Sequence, residues 1–465
     1  MNNSKWTQIG GSFRDPAGFL FRRDGTLLRQ VNEVYASDYD LCVTSGFFER
    51  ISSDKLLIPH EEVDDEGITA DRYRVLKPVE IAYISYPYEW SFSQLKDAAL
   101  LTLRIQELAL DFDLTLKDAS AFNVQFHKGR PIFIDTLSFE KYVEGSPWIA
   151  YRQFCQHFLA PLALMSHRDL RFRHLSARYM DGIPLDWASK MLPMSSYFDY
   201  SIFAHIHMHA RSQVKHQDVA GKGAEARQTK ISKAMLTGII ASLIRAVEKL
   251  SANDVPTEWG DYYSDTNYSD TATNDKSEIL EKFAEKYLNR DSIVHDLGAN
   301  TGRFSRITAK YAETVIAHDI DDMAVELHYR HVKAQGTENV LPLMLDLTNP
   351  SPAIGWSLSE RSSFPQRATG GVGIALALIH HLAISNNVPL PRLAEFFAKI
   401  FPTLIIEFVP KEDSQVQRLL ATRKDIFDQY TLAGFEHAFS QSFDIRERCR
   451  VRESNRMMYV MTRRS

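Results

Sequence analysis

The sequence predicts an α/β domain with a mostly parallel sheet from about residue 255 to the end, behind an α+β region and a helical connector. Three observations carry this. A short apolar run, Ile293-Val294-His295-Asp296-Leu297, enters the turn Gly298-Ala299-Asn300-Thr301-Gly302 and passes into a helical pattern at Arg303. A second run, Thr314 to His318, ends in Asp319 at the spacing of a strand–helix–strand unit. A third, Val340 to Leu345, ends in Asp346-Leu347. Glycines at a strand-to-helix turn permit positive φ and let a ligand approach bare backbone N–H groups.

The 465-residue length sets a prior of two or three domains, and 44% hydrophobic with 24% charged residues is ordinary for a globular chain with real cores. A formal charge of −5 gives no global pull toward nucleic acid, which is not an expected partner. Cys42, Cys155 and Cys449 form no CxxC, which argues against a disulfide framework or zinc site; no metal is expected. The opening residues lack an apolar signal-peptide core, and no run is long enough to span a bilayer. The expectation is a cytoplasmic protein without a membrane partner.

Taken in order, residues 1–145 read as an α+β domain. Residues 10–58 read as short strands and turns, with Asp24-Gly25 as a hairpin signal. Val75 to Tyr86 is extended, and Ser91 is a plausible N-cap for a helix carrying Leu95, Ala98, Leu101, Ile105 and Leu108. Beyond it, Asp118 and Asn123 stand at the spacing of a kinase catalytic loop, where the acid orients the attacking hydroxyl and the amide holds a metal ion. Gly129 turns into an apolar strand ending in Asp135. Residues 80–140 thus resemble the C-lobe of kinase-like, aminoglycoside-phosphotransferase-type families, which implies a possible site at Asp118, Asn123 and Asp135. The pattern departs in lacking an HxD histidine, in Thr136-Leu137 after Asp135, and in a glycine-rich loop for which Gly10-Gly11 and Lys77 are poor substitutes. The alternative is that the three residues are turn and capping residues.

Residues 146–254 read as a helical connector. Tyr151, Phe154, Phe158, Leu162 and Met165 share one face, a core stripe. His205, His207 and His209 alternate; on a helix they scatter, so exposed or partner-facing histidines are expected there. Residues 212–230 are polar and glycine-containing, the expected linker. A helix from Ile231 to Leu250 follows.

In residues 255–465, the aromatics around Tyr262 and Tyr268 precede the first strand. They would either cover a cofactor and substrate as a lid or pack on the domain surface. Gly373 to Leu382 reads as a fourth, fully apolar strand ending in His380-His381, where open α/β sheets bind ligands. Either histidine suits a general base, His381 slightly more by position; positioning a cofactor or capping a helix is the alternative. Leu404 to Pro410 is a fifth strand with Glu407 near its tip. Phe443–Val451 and Met457–Thr462 pair as the last two, with Arg446, Arg448, Arg450 and Arg452 on a solvated face.

The motif Asp296-x-Gly298-x-x-Thr301-Gly302, with Asp319 and Asp346, resembles that of the class I S-adenosylmethionine-dependent methyltransferases. A dinucleotide fingerprint would need glycines at Asn300 and Arg303. The resemblance implies a Rossmann-like seven-stranded domain with S-adenosyl-L-methionine as cofactor. It places the methionine end at Asp296, Gly298 and Gly302, the ribose at Asp319 and the adenine side at Asp346, with Asn300, Ile320 and Leu347 as further cofactor-binding residues. With no Asn-Pro-Pro-Tyr-like motif after strand four, it points to an oxygen or nitrogen of a small-molecule or glycan acceptor. The two-part layout is also similar to rhizobial nodulation proteins of the NoeA type. The other functions left open are a bifunctional kinase and methyltransferase acting on a saccharide, and a non-catalytic cofactor-binding scaffold.

Overall fold

The computed structural model describes residues 6–210, 230–252, 270–421 and 423–464. The expected linker lies outside the described residues except for Lys230, as do Tyr262 and Tyr268. The chain divides into two units: residues 1–253 with 355–361, and residues 254–354 with 362–465.

Unit 1 opens with strands β1 (Trp6–Gln8), β2 (Gly18–Arg23) and β3 (Thr26–Asn32), followed by β4 (His60–Glu62) and β5 (Arg72–Pro78). They form an antiparallel sheet in the order β1-β2-β3-β5-β4. The Asp24-Gly25 hairpin forms as expected, with both residues at positive φ and Arg23 opposite Thr26. The reading of residues 10–58 as strands and turns is corrected: Ala36–Thr44 and Phe47–Ser53 are helices. Burial decides this, because Tyr39, Cys42, Phe47 and Ile51 all reach the core on helical spacing.

Ser91 caps the 20-residue helix Phe92–Asp111, accepting from the Gln94 N–H while the Gln94 side chain answers the Ser91 N–H. Two small antiparallel strand pairs follow, β6 (Leu114–Leu116) with β9 (Phe139–Lys141) and, between them in the chain, the hairpin of β7 (Val124–His127) with β8 (Arg130–Phe133). Residues 151–167 continue as a helix interrupted by a π turn at Cys155–Leu159, and Phe154, Phe158, Leu162 and Met165 are buried. The expectation of exposed histidines at 205–209 is corrected. His205 and His207 are buried and satisfied, His205 by Tyr151 Oη (2.6 Å) and Ser242 Oγ (3.0 Å), His207 by Ser189 Oγ (2.7 Å) and Ser196 Oγ (2.9 Å).

Unit 2 begins, within the described residues, with the helix Asp270–Tyr287. Its sheet comprises β10 (Ile293–Leu297), β11 (Thr314–Asp319), β12 (Val340–Met344), β13 (Val372–Ala375), β14 (Thr403–Phe408), β15 (Phe443–Arg450) and β16 (Met457–Arg463). The order is β12-β11-β10-β13-β14-β16-β15, parallel except for β16, which runs antiparallel to both neighbours. This is the class I methyltransferase arrangement expected from the glycine turn. The order reverses between β10 and β13, so a crevice opens at their carboxyl ends. One apolar core lies on each face of the sheet. Among the described residues no helix is long and apolar enough to cross a membrane.

Candidate functional site

The glycine turn after β10 is held from below by its neighbour strand: Gly298 N–H and Ala299 N–H both donate to His318 O, at 2.8 and 2.9 Å. Gly298 (φ 76°), Asn300 (φ 50°) and Gly302 (φ 79°) all take left-handed backbone. A Cβ on Gly302 would run into the His328 imidazole, and one on Gly298 would sit 3.3 Å from Leu378 Cδ1. The first glycine therefore keeps backbone bare on the side facing the β13 loop, and the second lets the next helix close onto helix Asp322–Gln335.

Asp319, at the tip of β11, meets this turn. Its Oδ2 accepts the Asn300 N–H at 2.7 Å, and its Oδ1 accepts the Asp321 N–H at 2.9 Å. Burial raises its pKa to about 6 even though both bonds lower it. Asp296 is buried as well and also rises to about 6, with Ser305 Oγ donating to it at 2.6 Å and Asp319 adding like-charge repulsion. The sequence thus brings Asp296, Gly298, Asn300, Gly302 and Asp319 together. Ile320, next in the chain, is 57% exposed. Leu345 N–H bonds Asp319 O at 2.8 Å, which places Asp346 and Leu347 just beyond this edge. Asp346 Oδ1 turns into its own loop, accepting from Thr348 N–H (2.8 Å) and Oγ1 (2.6 Å).

On the other side of the crevice the expected fourth strand is corrected. It runs only from Val372 to Ala375, and His380 and His381 open a helical turn beyond it rather than ending the strand. The physical reason lies at Ala377, whose backbone is left-handed (φ 51°) and whose N–H donates to Glu407 Oε2 at 2.7 Å. That bond pulls the chain out of strand geometry. His380 is fully buried and neither ring nitrogen makes a hydrogen bond among the described residues. His381 is half-buried, 4.1 Å from it between ring centroids. Burial lowers both, His381 to about 4, and Arg456 adds to the effect. Both are neutral at pH 7, the form that accepts a proton.

Glu407, Lys276 and Arg456 are residues whose role sequence reasoning missed. Lys276 Nζ lies 2.5 Å from Glu407 Oε2, and Arg456 grips Asp413 through Nε (2.7 Å) and Nη2 (2.9 Å) while lying 3.6 Å from Glu407 Oε1. Burial would raise Glu407, but the two cations hold it below the usual carboxylate range. An open cavity of about 320 Å³ adjoins this chain of charges, lined in part by Arg456, Asp413, Glu412, Glu453 and Asn455. The Arg446, Arg448, Arg450 and Arg452 side chains are exposed along β15 and just after it, as expected.

In unit 1 the residues singled out by spacing also converge. Asn123 Nδ2 donates to Ser138 Oγ at 3.3 Å, Ser138 Oγ donates to Asp135, and Gln153 Nε2 donates to Asp118 Oδ1 at 2.8 Å. Arg29 on β3, unmarked in the sequence, ion-pairs with Asp135. Burial would raise Asp135, but Arg29 and Ser138 hold it below the usual carboxylate range. Burial leaves Asp118 raised. The cluster is neutralised by a side chain of its own, a poor fit to a divalent cation at Asp135. Lys77 lies elsewhere, paired with Glu61 on the surface. Among the described residues no group of three or more His, Cys, Asp or Glu is placed to hold a metal ion.

No protein-family profile matches the chain. Among solved structures, the chain is similar to the PH0226 protein of Pyrococcus horikoshii OT3, with TM-score 0.31 and 19% identity over 44% of this chain and 99% of that one. It is also similar to the N-methyltransferase NodS of Bradyrhizobium japonicum WM9 in complex with S-adenosyl-l-homocysteine, with TM-score 0.32 and 10% identity over 46% and 94%. Nodulation protein NoeA of Rhizobium meliloti (strain 1021) is 34% identical over 467 residues, covering 98% of this chain and 96% of that protein. The chain belongs to the NoeA family of nodulation proteins.

Proposed function

We propose that unit 2 is a methyltransferase that uses S-adenosyl-L-methionine and acts on an oxygen or nitrogen of a small-molecule or glycan acceptor. The nodulation role in the relative's name comes to this chain as part of the same proposal. The observation that carries it is Asp319, a carboxylate fixed by two backbone N–H bonds beside a bare glycine turn. The residues fit the cofactor: Gly298, Asn300 and Gly302 hold the turn in left-handed backbone beside Asp319, and Asp319 keeps lone pairs free to accept ribose hydroxyls. When bound, S-adenosylmethionine supplies an electrophilic methyl group on a sulfonium.

The chain's own residues supply the rest. Asp296 and Asp319 hold negative potential at the turn, which suits a cationic ligand. His381, neutral and reachable from solvent, takes the proton from the acceptor's hydroxyl or amine. His380 packs behind it and sets its ring. The polar cavity beside Arg456 and Asp413 is suited to a hydroxylated acceptor, whose groups pair with carboxylates and amides in turn. Calorimetric titration with S-adenosylhomocysteine tests the reading. Micromolar binding is expected, weakened about ten- to a hundredfold in Asp319→Ala by the loss of charge-assisted hydrogen bonds. No binding by the unaltered protein would sink it.

A second reading, phosphoryl transfer by unit 1 on the same saccharide, has the convergence of Asp118, Asn123 and Asp135 for it and the Arg29–Asp135 ion pair against it. Magnesium-dependent ATP binding abolished by Asp135→Ala would favour it, and its absence would remove it.

A further inference from the structure

Residues 355–361 fall in sequence between β12 and β13, yet they pack as part of unit 1. The segment reads Gly-Trp-Ser-Leu-Ser-Glu-Arg. Its backbone is contorted: Ser357 (φ 55°) and Leu358 (φ 54°) are consecutive left-handed residues, neither of them glycine. Such conformations persist only where the surroundings over-determine them.

The surroundings do so at three points. Gly10 and Gly11 lie flat against the segment, where a Cβ on Gly10 would collide with Ser359 O and one on Gly11 would lie 2.5 Å from Glu360 O. Glu360 is buried, and its Oε1 accepts Arg14 Nη2 at 2.5 Å, Arg14 Nε at 3.1 Å and the Trp356 N–H at 2.9 Å. Arg361 stacks over the Phe122 ring at 4.3 Å, and its charge adds to the burial that lowers His157 to about 4. A glycine pair, an arginine clamp and an aromatic platform are the parts of a peptide-recognition site.

We propose that unit 1 is a binding module whose ligand is this chain's own Glu360–Arg361 loop, recognised by Gly10-Gly11, Arg14 and Phe122. The site reads a buried carboxylate followed by a guanidinium, so its ligand class is a peptide turn bearing an acidic–basic pair. Nothing in this recognition depends on methyl transfer or on a bound cofactor. The Gly-Gly pair that resembles a weak phosphate loop is thereby explained by close backbone approach.

Hydrogen–deuterium exchange on the full chain tests it through the amides of Trp356, Leu358 and Ser359, each bonded within the segment. Arg14 is 68% exposed, so Arg14→Glu leaves the fold intact, which thermal unfolding verifies. Exchange at these amides is expected to rise about tenfold in Arg14→Glu and in Glu360→Arg, and to fall back in the charge-reversed pair. Arg361→Ala should do the same without touching Arg14. Equal exchange in all variants, or fast exchange in the unaltered chain, would overturn the proposal. Protection that depends on protein concentration would also overturn it, because the loop would then come from a second copy.

Discussion

A pair of aspartates in unit 2 and Asp135 in unit 1 sit in polar surroundings and are treated in opposite ways. Asp296 and Asp319 in unit 2 are flanked by N–H and O–H donors, with no ion pair to either among the described residues, and burial raises both to about 6. Asp135 in unit 1 has the Arg29 guanidinium against it and stays below the usual range. The difference teaches what each cluster is prepared to receive. An uncompensated pair of carboxylates is an electrostatic deficit that a cationic, hydroxyl-rich ligand relieves. A carboxylate already matched by arginine has no such deficit and serves the fold.

The largest expected effect tests the open side. His381→Asn should lower kcat about 10²–10⁴-fold while leaving S-adenosylhomocysteine affinity unchanged, the mark of a lost proton acceptor. A change in affinity without a change in kcat would place His381 among the binding residues. Next, Arg29→Ala should destabilise unit 1 by about 3 kcal/mol, the low end for breaking a buried pair. Thermal unfolding reads this, and Asp135→Asn added to it should recover part of the loss. If Arg29→Ala is silent, the contrast between the clusters fails.

Titration gives a smaller effect. Carboxyls raised to about 6 take up protons as pH falls through 6, so cofactor affinity should drop by up to about tenfold per pH unit below that point. For the protein without cofactor the sign is reversed. A folded pKa above the unfolded one stabilises fully below the ordinary carboxylate value, and this contribution is lost as pH rises through about 6. Asp319→Asn should flatten both profiles. Smallest of all, Arg448→Ala should leave the unfolding midpoint unchanged, because its pair with Glu436 at 3.4 Å is solvated.

The parts legible in the sequence are those whose partners are near in the chain or repeat at a fixed period. The turn from Gly298 to Gly302, the acids ending β11 and β12, the Ser91 cap and the Asp24-Gly25 hairpin all announce themselves within a few residues. Arg29 does not, because it stands in a strand where a charge reads as surface and its partner is Asp135. His380 and His381 were placed at a strand end because an apolar run carries no sign of where its backbone turns. That sign is Glu407, about thirty residues later. His205 and His207 looked exposed because their hydroxyl partners come from other helices. The loop from Gly355 to Arg361 carries no local sign of its role, since the Arg14 that Glu360 pairs with is 346 positions away.

That loop also sets an order of events at the ribosome. When residue 253 has been made, Arg14 still has no carboxylate to grip, and Gly10-Gly11 faces water. Glu360 is added roughly a hundred residues later, on the order of ten seconds at about 5–20 residues per second. The Arg14–Glu360 contact therefore forms only after β10, β11 and β12 have been synthesised. A nascent chain stalled between those points would lack this contact, and so would a protein truncated at residue 253.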